Sequence, residues 1–256
     1  MLAIAGAVLG ARALLPQGGQ PGTGRPPVTG SAGTTPSLST ALTPVGATPT
    51  PVQESGGQWL VTRKYQMNAP VSGLVVNDPV GAVLVSGGGS GGVSVTATVS
   101  YRSAQPAITQ RVSGGTLSLA YSSCTDCGVS FQVTVPRGAS ITINEGTGHV
   151  GLTGLAGGVD VAVHAGSVTA TGLTGAEARF SDDVGGINVS FSAPPRQLTA
   201  QAQTGAIIVD VPSSADYRVS ANTGMGALTV TVPQSSSATH VVTATTNIGA
   251  VTVGTG

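Results

Sequence analysis

The stretch "HAGSVTATGL", His164 to Leu173, decides how this chain folds. Taken alone it is small residues around two glycines. Its relatives recur downstream as "VGGINVSF" (184–191), "QTGAIIVDV" (203–211), "GMGALTVTV" (224–232) and "NIGAVTVG" (247–254). Each phrase reads glycine, any residue, aliphatic, any residue, apolar or small residue. The run begins with Gly148-Val150-Leu152 and continues through Gly166-Val168-Ala170, Gly185-Ile187-Val189, Gly205-Ile207-Val209, Gly226-Leu228-Val230 and Gly249-Val251-Val253. The glycines are 18, 19, 20, 21 and 23 residues apart. An alternating segment such as Val159-Val161-Val163 or Tyr217-Val219-Ala221 precedes each one. Alternation with a period of two marks a half-buried strand. One unit is therefore two short strands joined at a glycine corner.

A fixed period near 20 residues predicts a stacked array in which each unit buries its apolar residues against its neighbours. Glycine suits the corners, because a tight turn often requires positive φ. The expected fold is all-β: a β-solenoid, β-helix-like, of short strands, with Val150, Val168, Ile187, Ile207, Leu228 and Val251 forming one inward ladder. An antiparallel β-sandwich or meander would also give many short strands and stays open as the alternative.

Upstream, "GVSVTATVSY" sets Val93, Val95, Ala97, Val99 and Tyr101 on one strand face. "TLSLAYSSCTDCGVSFQVTVP" predicts a hairpin, with Leu117, Leu119 and Tyr121 on the strand running in and Val129, Phe131, Val133 and Val135 on the strand running out.

Composition agrees with sheet. Charged residues make up 8% and aromatics 3% of 256 residues, far below the roughly 25% charged of an ordinary domain. Valine, threonine and isoleucine are plentiful, as strands prefer. Ten basic and ten acidic residues cancel, and Lys64 is the single lysine. A nucleic-acid binder needs a basic patch. "TRKY" (62–65) holds the one adjacent basic pair and reads as a solvated strand, so no nucleic-acid partner is expected.

Three zones follow one another. Residues 1–15, "MLAIAGAVLGARALL", form an apolar run too short for a membrane span; it reads as a truncated export signal or anchor, and it is the chain's one expected link to a membrane. Residues 16–57 hold eight of the sixteen prolines and only Arg25 and Glu54 as charges. They read as a disordered Pro/Thr/Ser/Gly-rich linker. Residues 58–256 are the folded β-repeat domain. An apolar start followed by a Pro/Thr spacer is the layout of a tethered domain outside the cytoplasm, at the cell surface or secreted.

The order of features resembles a bacterial β-strand-repeat family of unknown function regarded as candidate adhesins. The residues that carry the likeness are "VGAVLVSGG", the cysteine-bearing segment ending in "VTVPRGASITI", and the Gly-x-aliphatic ladder with its "VDVP" and "VTVP" turns, over roughly residues 60–256. The resemblance implies a β-solenoid exposed outside the cytoplasm. "NEGTG" (144–148) departs from it as a more polar turn.

Catalytic and metal chemistry finds little purchase. Cys124 and Cys127 form C-x-x-C between strands, without the helix that a redox motif opens, and zinc would need about four ligands. A disulfide closing a loop is the better reading in an exported protein. Asp182 and Asp183 precede a Gly-Gly corner and read as turn residues; an aspartate ladder across units would draw on Asp160 and Asp210. His149, His164 and His240 are separate singletons, the first two expected at solvent-facing turns. "SGGGSGG" (86–92) precedes a strand, so it is not a helix-borne phosphate cradle.

No catalytic, cofactor or metal residue is therefore assigned, and no cofactor is expected. The site residues of the sequence are the disulfide pair Cys124 and Cys127 and the corner glycines Gly148, Gly166, Gly185, Gly205, Gly226 and Gly249. The function that fits is a non-enzymatic adhesin-like or structural surface module, its ligand open between a cell-surface glycan and a protein. A β-helix carbohydrate-active enzyme is the alternative, and it would need several charged groups converging in a groove. An envelope sensor or assembly role is a third class.

Overall fold

The structure is a computed structural model; it describes residues 41–256 apart from 55, 70, 89 and 90. The expected signal segment and most of the expected linker lie outside the described residues. The described part of that linker is not free of structure. Strand β1 (Thr43–Pro44) and strand β2 (Val52–Gln53) both pair antiparallel with β3 (Trp59–Met67). Pairing in the folded unit thus begins before residue 58.

The chain is all-β, with no helix among the described residues. After β3 come β4 (Gly73–Gly88), β5 (Val93–Tyr101), β6 (Ile108–Ser113), β7 (Thr116–Tyr121) and β8 (Cys127–Pro136). Long strands then carry the repeat: β9 (Ser140–Thr153), β10 (Val159–Leu173) and β11 (Glu177–Phe191). In the later units the corner splits each pair into β12 (Gln197–Thr204) and β13 (Ile207–Val211), β14 (Tyr217–Met225) and β15 (Leu228–Val230), β16 (His240–Ile248) and β17 (Val251–Thr255). All belong to one large mixed sheet that does not close on itself.

From β9 onward the units pair in parallel and in register. Val150 faces Val168, Val168 faces Ile187, Ile187 faces Ile207, and Ile207 faces Val251. These five residues are buried to 1% exposure or less. Parallel pairing between units is not the pattern of an antiparallel meander. The glycines stack too: Gly148 faces Gly166, which faces Gly185. Gly166 has φ 157°, and a Cβ there would overlap the carbonyl oxygen of Gly148; the same overlap joins Gly205 to Gly185. Glycine is required at the corner by close backbone approach as well as by φ.

The ladder departs from expectation at Leu228, which is 49% exposed. The last two units are spatially exchanged. Strands β16 and β17 lie between the Gly205 unit and the Gly226 unit, so β14 and β15 form the outermost layer. The unit taken inside has an inward row of Val242, Ala244, Thr246, Val251 and Val253, all buried, and Leu228 is left at the end of the stack.

The expected hairpin is also corrected. β7 and β8 do not pair with each other. Both run parallel to β4, β7 along its first half and β8 along its second, while β9 takes the opposite edge of β4. Leu117, Leu119 and Tyr121 therefore extend the same inward rows as Val129, Phe131, Val133 and Val135, and all seven are buried. β4 is thus an earlier member of the repeat, with Gly81 facing Gly148. Antiparallel pairing of β5 with β8 and of β3 with β5 covers this end of the core.

Candidate functional site

The start of each repeat strand faces outward with polar residues, because alternation sends Ile141, Val159, Ala178 and Leu198 into the core and their neighbours to solvent. The parallel register sets Thr142 beside Asp160, Asp160 beside Arg179, and Arg179 beside Thr199. Two residues earlier, on the same face, Glu177 faces Gln197. Together these residues line a shallow, open groove of about 350 Å³ across four successive units. Two carboxylates, one guanidinium, an amide and hydroxyls thus sit on backbone spaced about 4.8 Å per strand. The Arg179 guanidinium donates to Gln201 Oε1 at 3.2 Å, which fixes one side of its fork. Such a row offers alternating donors and acceptors to a polyhydroxylated chain.

Further along the same face, His164 Nδ1 donates to Asp183 Oδ2 at 2.6 Å, and Gln203 Nε2 donates to Asp183 Oδ1 at 2.8 Å. The histidine is 76% exposed. The bond from His164, then that from Gln203, holds the Asp183 carboxyl below its ordinary range. His149 Nδ1 and Ser167 Oγ are hydrogen-bonded at 2.9 Å, and Asn144 Nδ2 donates to Asn77 Oδ1 at 2.9 Å. The two histidines are at the corners as expected, but each is fastened to the next unit. His240 is elsewhere: Nδ1 donates to the carbonyl of Pro195 at 2.8 Å.

Inside the core a second polar row was not anticipated. Asp78, Glu145 and Asp182 are 1%, 3% and 1% exposed. Asp182, read as a turn residue, points inward while Asp183 points out. Asp160 and Asp210 do not join it: Asp160 faces Arg179 and Asp210 faces Ser190, so no aspartate ladder forms. Glu145, within the polar "NEGTG", faces Asp78 directly across β4 and β9. Among the described residues, none of the six carboxyl oxygens has a hydrogen-bond partner of good geometry.

Burial pushes Asp78 up to about 7, with the nearby Tyr121 hydroxyl and Val80 amide pulling the other way. Burial, then the charge of Asp78, pushes Glu145 up to about 8. Burial raises Asp182 to about 6. Desolvation and then the Asp78 charge raise Tyr121 to about 12. The Tyr121 hydroxyl is bonded to Val80, donating to its carbonyl and accepting from its amide.

A signal for this row is present in the sequence. Each acid stands three residues before a corner glycine: Asp78 before Gly81, Glu145 before Gly148, Asp182 before Gly185. A Cβ added to those glycines would lie 2.9, 2.8 and 2.6 Å from a carboxyl oxygen, so each carboxyl folds over its own corner. Thr246 and Thr223 occupy the same position before Gly249 and Gly226. Their hydroxyls donate to carbonyls of the corner glycine stack, Thr246 to Gly205 at 3.1 Å and Thr223 to Gly249 at 2.7 Å. In the Gly166 and Gly205 units the same position is apolar and buried, Val163 and Ala202, so the polar side chains at Asp78, Glu145, Asp182, Thr223 and Thr246 are particular to their own units. A protonated carboxyl can donate as those hydroxyls do; a carboxylate cannot.

Cys124 and Cys127 are bridged, with Cα atoms 5.7 Å apart. The ring joins the loop after β7 to the first residue of β8, at the place where the other units turn on glycine. Asp126 within it has φ 55°, a conformation that aspartate tolerates better than most residues. Among the described residues, no three of His, Cys, Asp and Glu gather as metal ligands.

No protein-family model matches the chain, and no curated protein matches it. Solved structures do align with it over most of its length. A candidate cell adhesion protein from Clostridium sporogenes is 16% identical, with 76% of this chain and 100% of that one covered and a TM-score of 0.46. A candidate adhesin from Bacteroides fragilis is 15% identical, with 80% and 99% covered and a TM-score of 0.40. One from Parabacteroides distasonis is 11% identical, with 75% and 96% covered and a TM-score of 0.33. All three carry adhesin or cell-adhesion names, as does the family that the residue pattern resembles.

Proposed function

We propose that this chain is a non-enzymatic, adhesin-like module that works outside the cytoplasm and binds a polyhydroxylated polymer, of the cell-surface glycan class, along the groove of β9 to β12. The observation that carries the reading is the register Thr142–Asp160–Arg179–Thr199, with Glu177 and Gln197 beside it. Carboxylates, guanidinium and hydroxyls at strand spacing on a rigid parallel backbone suit a chain of sugar hydroxyls without enclosing it. We read the stack as a β-solenoid, whose flat sides extend such a row from unit to unit. The Cys124–Cys127 bridge supports an oxidising location.

Array screening of the full chain against glycans and cell-wall polysaccharides tests the reading. Arg179→Ala and Asp160→Asn should each weaken capture about tenfold, as loss of a charge-assisted hydrogen bond does. Capture indifferent to both substitutions would reject the groove.

A second reading, glycan hydrolysis, is favoured by Asp160 and Glu177 lining one groove. The groove is open and both side chains are exposed, whereas an acid catalyst is normally kept protonated by burial. Release of reducing ends from a captured polymer, lost in Glu177→Gln, would establish that reading instead.

A further inference from the structure

The two ends of the stack are finished differently. The end at β4 is covered by β7 and β8, then by β5 and β3. The other end is the layer of β14 and β15, each paired on one edge only, with β16 and β17. Residues 233–235 cover the start of this layer: the Tyr217 amide donates to the Pro233 carbonyl and the Ser235 amide to the Tyr217 carbonyl. Among the described residues, no strand pairs with the free edge from Val219 to Val230.

The core is open at the same place. Val161 and Val163, Phe180 and Asp182, Leu198 and Ala200, Val242 and Ala244 are buried in the inner layers. The inward residues of the last layer, Val219, Ala221 and Val230, are only half-buried. Met225 is 64% exposed and Leu228 49%. An uncovered strand edge beside uncovered apolar side chains is a template for pairing.

Proteins usually guard such an edge with charge or proline, and this one has neither between Val219 and Val230. Every Asp, Glu, Lys and Arg of the chain lies at or before Arg218; from Val219 to Gly256, His240 is the one titratable side chain. The end of the stack is therefore a charge-free surface on a chain of zero net charge.

We propose that a second copy of this chain docks on the β14–β15 layer, edge to edge, in a closed two-fold dimer. Two facts favour a copy over a foreign strand. A two-fold brings two bare ends together and leaves neither exposed, whereas an added foreign strand would carry a new free edge outward. Like charges cannot meet in any antiparallel register of Val219–Met225 with itself, since the segment holds none. The far edge of the sheet, β6, carries Arg111 and so does not match the charge-free β14–β15 edge, and the assembly closes at two copies.

Sedimentation equilibrium of the full chain should give a mass of two chains at micromolar concentration. Ser220 and Asn222 are exposed on the edge strand, and Ser220→Lys with Asn222→Lys should weaken association at least tenfold by opposing like charges. Gln110→Lys, on exposed β6 away from this layer, should leave it unchanged. A monomer at all concentrations overturns the proposal, as does a dimer indifferent to the edge lysines or a monomer that takes up a foreign peptide strand instead. Should the double variant fail to fold, amide exchange on the unaltered chain decides. Protection of Val219–Met225 should rise at least tenfold from dilute to concentrated solution; equal exchange at both overturns the dimer.

Discussion

Asp78 and Glu145 face each other at paired positions of two adjacent parallel strands, inside the core, and among the described residues neither carboxyl has an ion-pair partner. Two carboxylates in that position would each face desolvation and the other's charge, so the protonated forms are preferred in the fold. The unfolded chain returns them to ordinary carboxylate values.

The consequence is a stability that falls as pH rises. The folded state holds more protons than the unfolded one between the ordinary values, 3.8 and 4.5, and the raised ones, about 7 for Asp78 and about 8 for Glu145. Their contribution is full below pH 4 and is lost through about pH 8. Asp182, raised to about 6, adds to the lower part of the window. Urea midpoints measured from pH 4 to 9 should decline across this range. Asp78→Asn with Glu145→Gln should flatten the decline; midpoints that rise from pH 4 to 8 would show that the acids are ionised in the fold.

The corner glycines can be tested against a glycine that has room. A Cβ at Gly166 meets the Gly148 carbonyl and sits on a positive φ, whereas a Cβ at Gly138 meets nothing within 4 Å. Gly166→Ala should lower stability by about 2–4 kcal/mol, from overpacking and backbone strain together. Gly138→Ala should stay within about 0.5 kcal/mol. Thermal unfolding of the two variants side by side checks the difference.

The disulfide ring is small, and its removal should be mild. Closing a ring of four residues is worth on the order of 2 kcal/mol by loop entropy. The strands on either side are held by β4, not by each other. Cys124→Ser with Cys127→Ser should fold with an unchanged strand signature in circular dichroism and lose about 1–2 kcal/mol at most. A variant that cannot fold would mean that the ring sets the register of β7 and β8.

What the sequence disclosed follows from what repeats in it. The Gly-x-aliphatic phrase states both the strand period and the corner, so Val150, Val168, Ile187, Ile207 and Val251 could be placed inward without coordinates. Leu228 could not be told from Val251, because both satisfy the same local rule and only the packing of whole units decides which is outermost. The run from Leu117 to Val135 reads as a hairpin because local alternation is silent about partners; β4, forty residues earlier, supplies the partner that separates β7 from β8. Asp182 misleads for another reason. Asp182 next to Asp183 looks like turn chemistry, and only its alignment with Val163 and Ala202, the inward residues three before Gly166 and Gly205, marks it as inward. The groove depends on Asp160, Glu177 and Arg179 arriving side by side, which needs the register of three separate units.

Ile207 and Ile208 give a sharp test of that register, since they are the same residue at consecutive positions. Ile207 is fully buried between Ile187 and Val251, and Ile208 is 40% exposed on the opposite side of β13. A strand sends neighbours to opposite faces, and a slip of one residue would exchange them. Ile207→Ala should cost about 3–4 kcal/mol, because the lost methyls leave a cavity that a stiff parallel stack closes poorly. Ile208→Ala should cost no more than about 1 kcal/mol, and Ile208→Thr less, since threonine keeps the branched shape that strands favour. Chemical denaturation of the three variants decides the matter. Equal losses at 207 and 208 would mean that both faces of β13 are covered, which would contradict an outward face on this side of the stack.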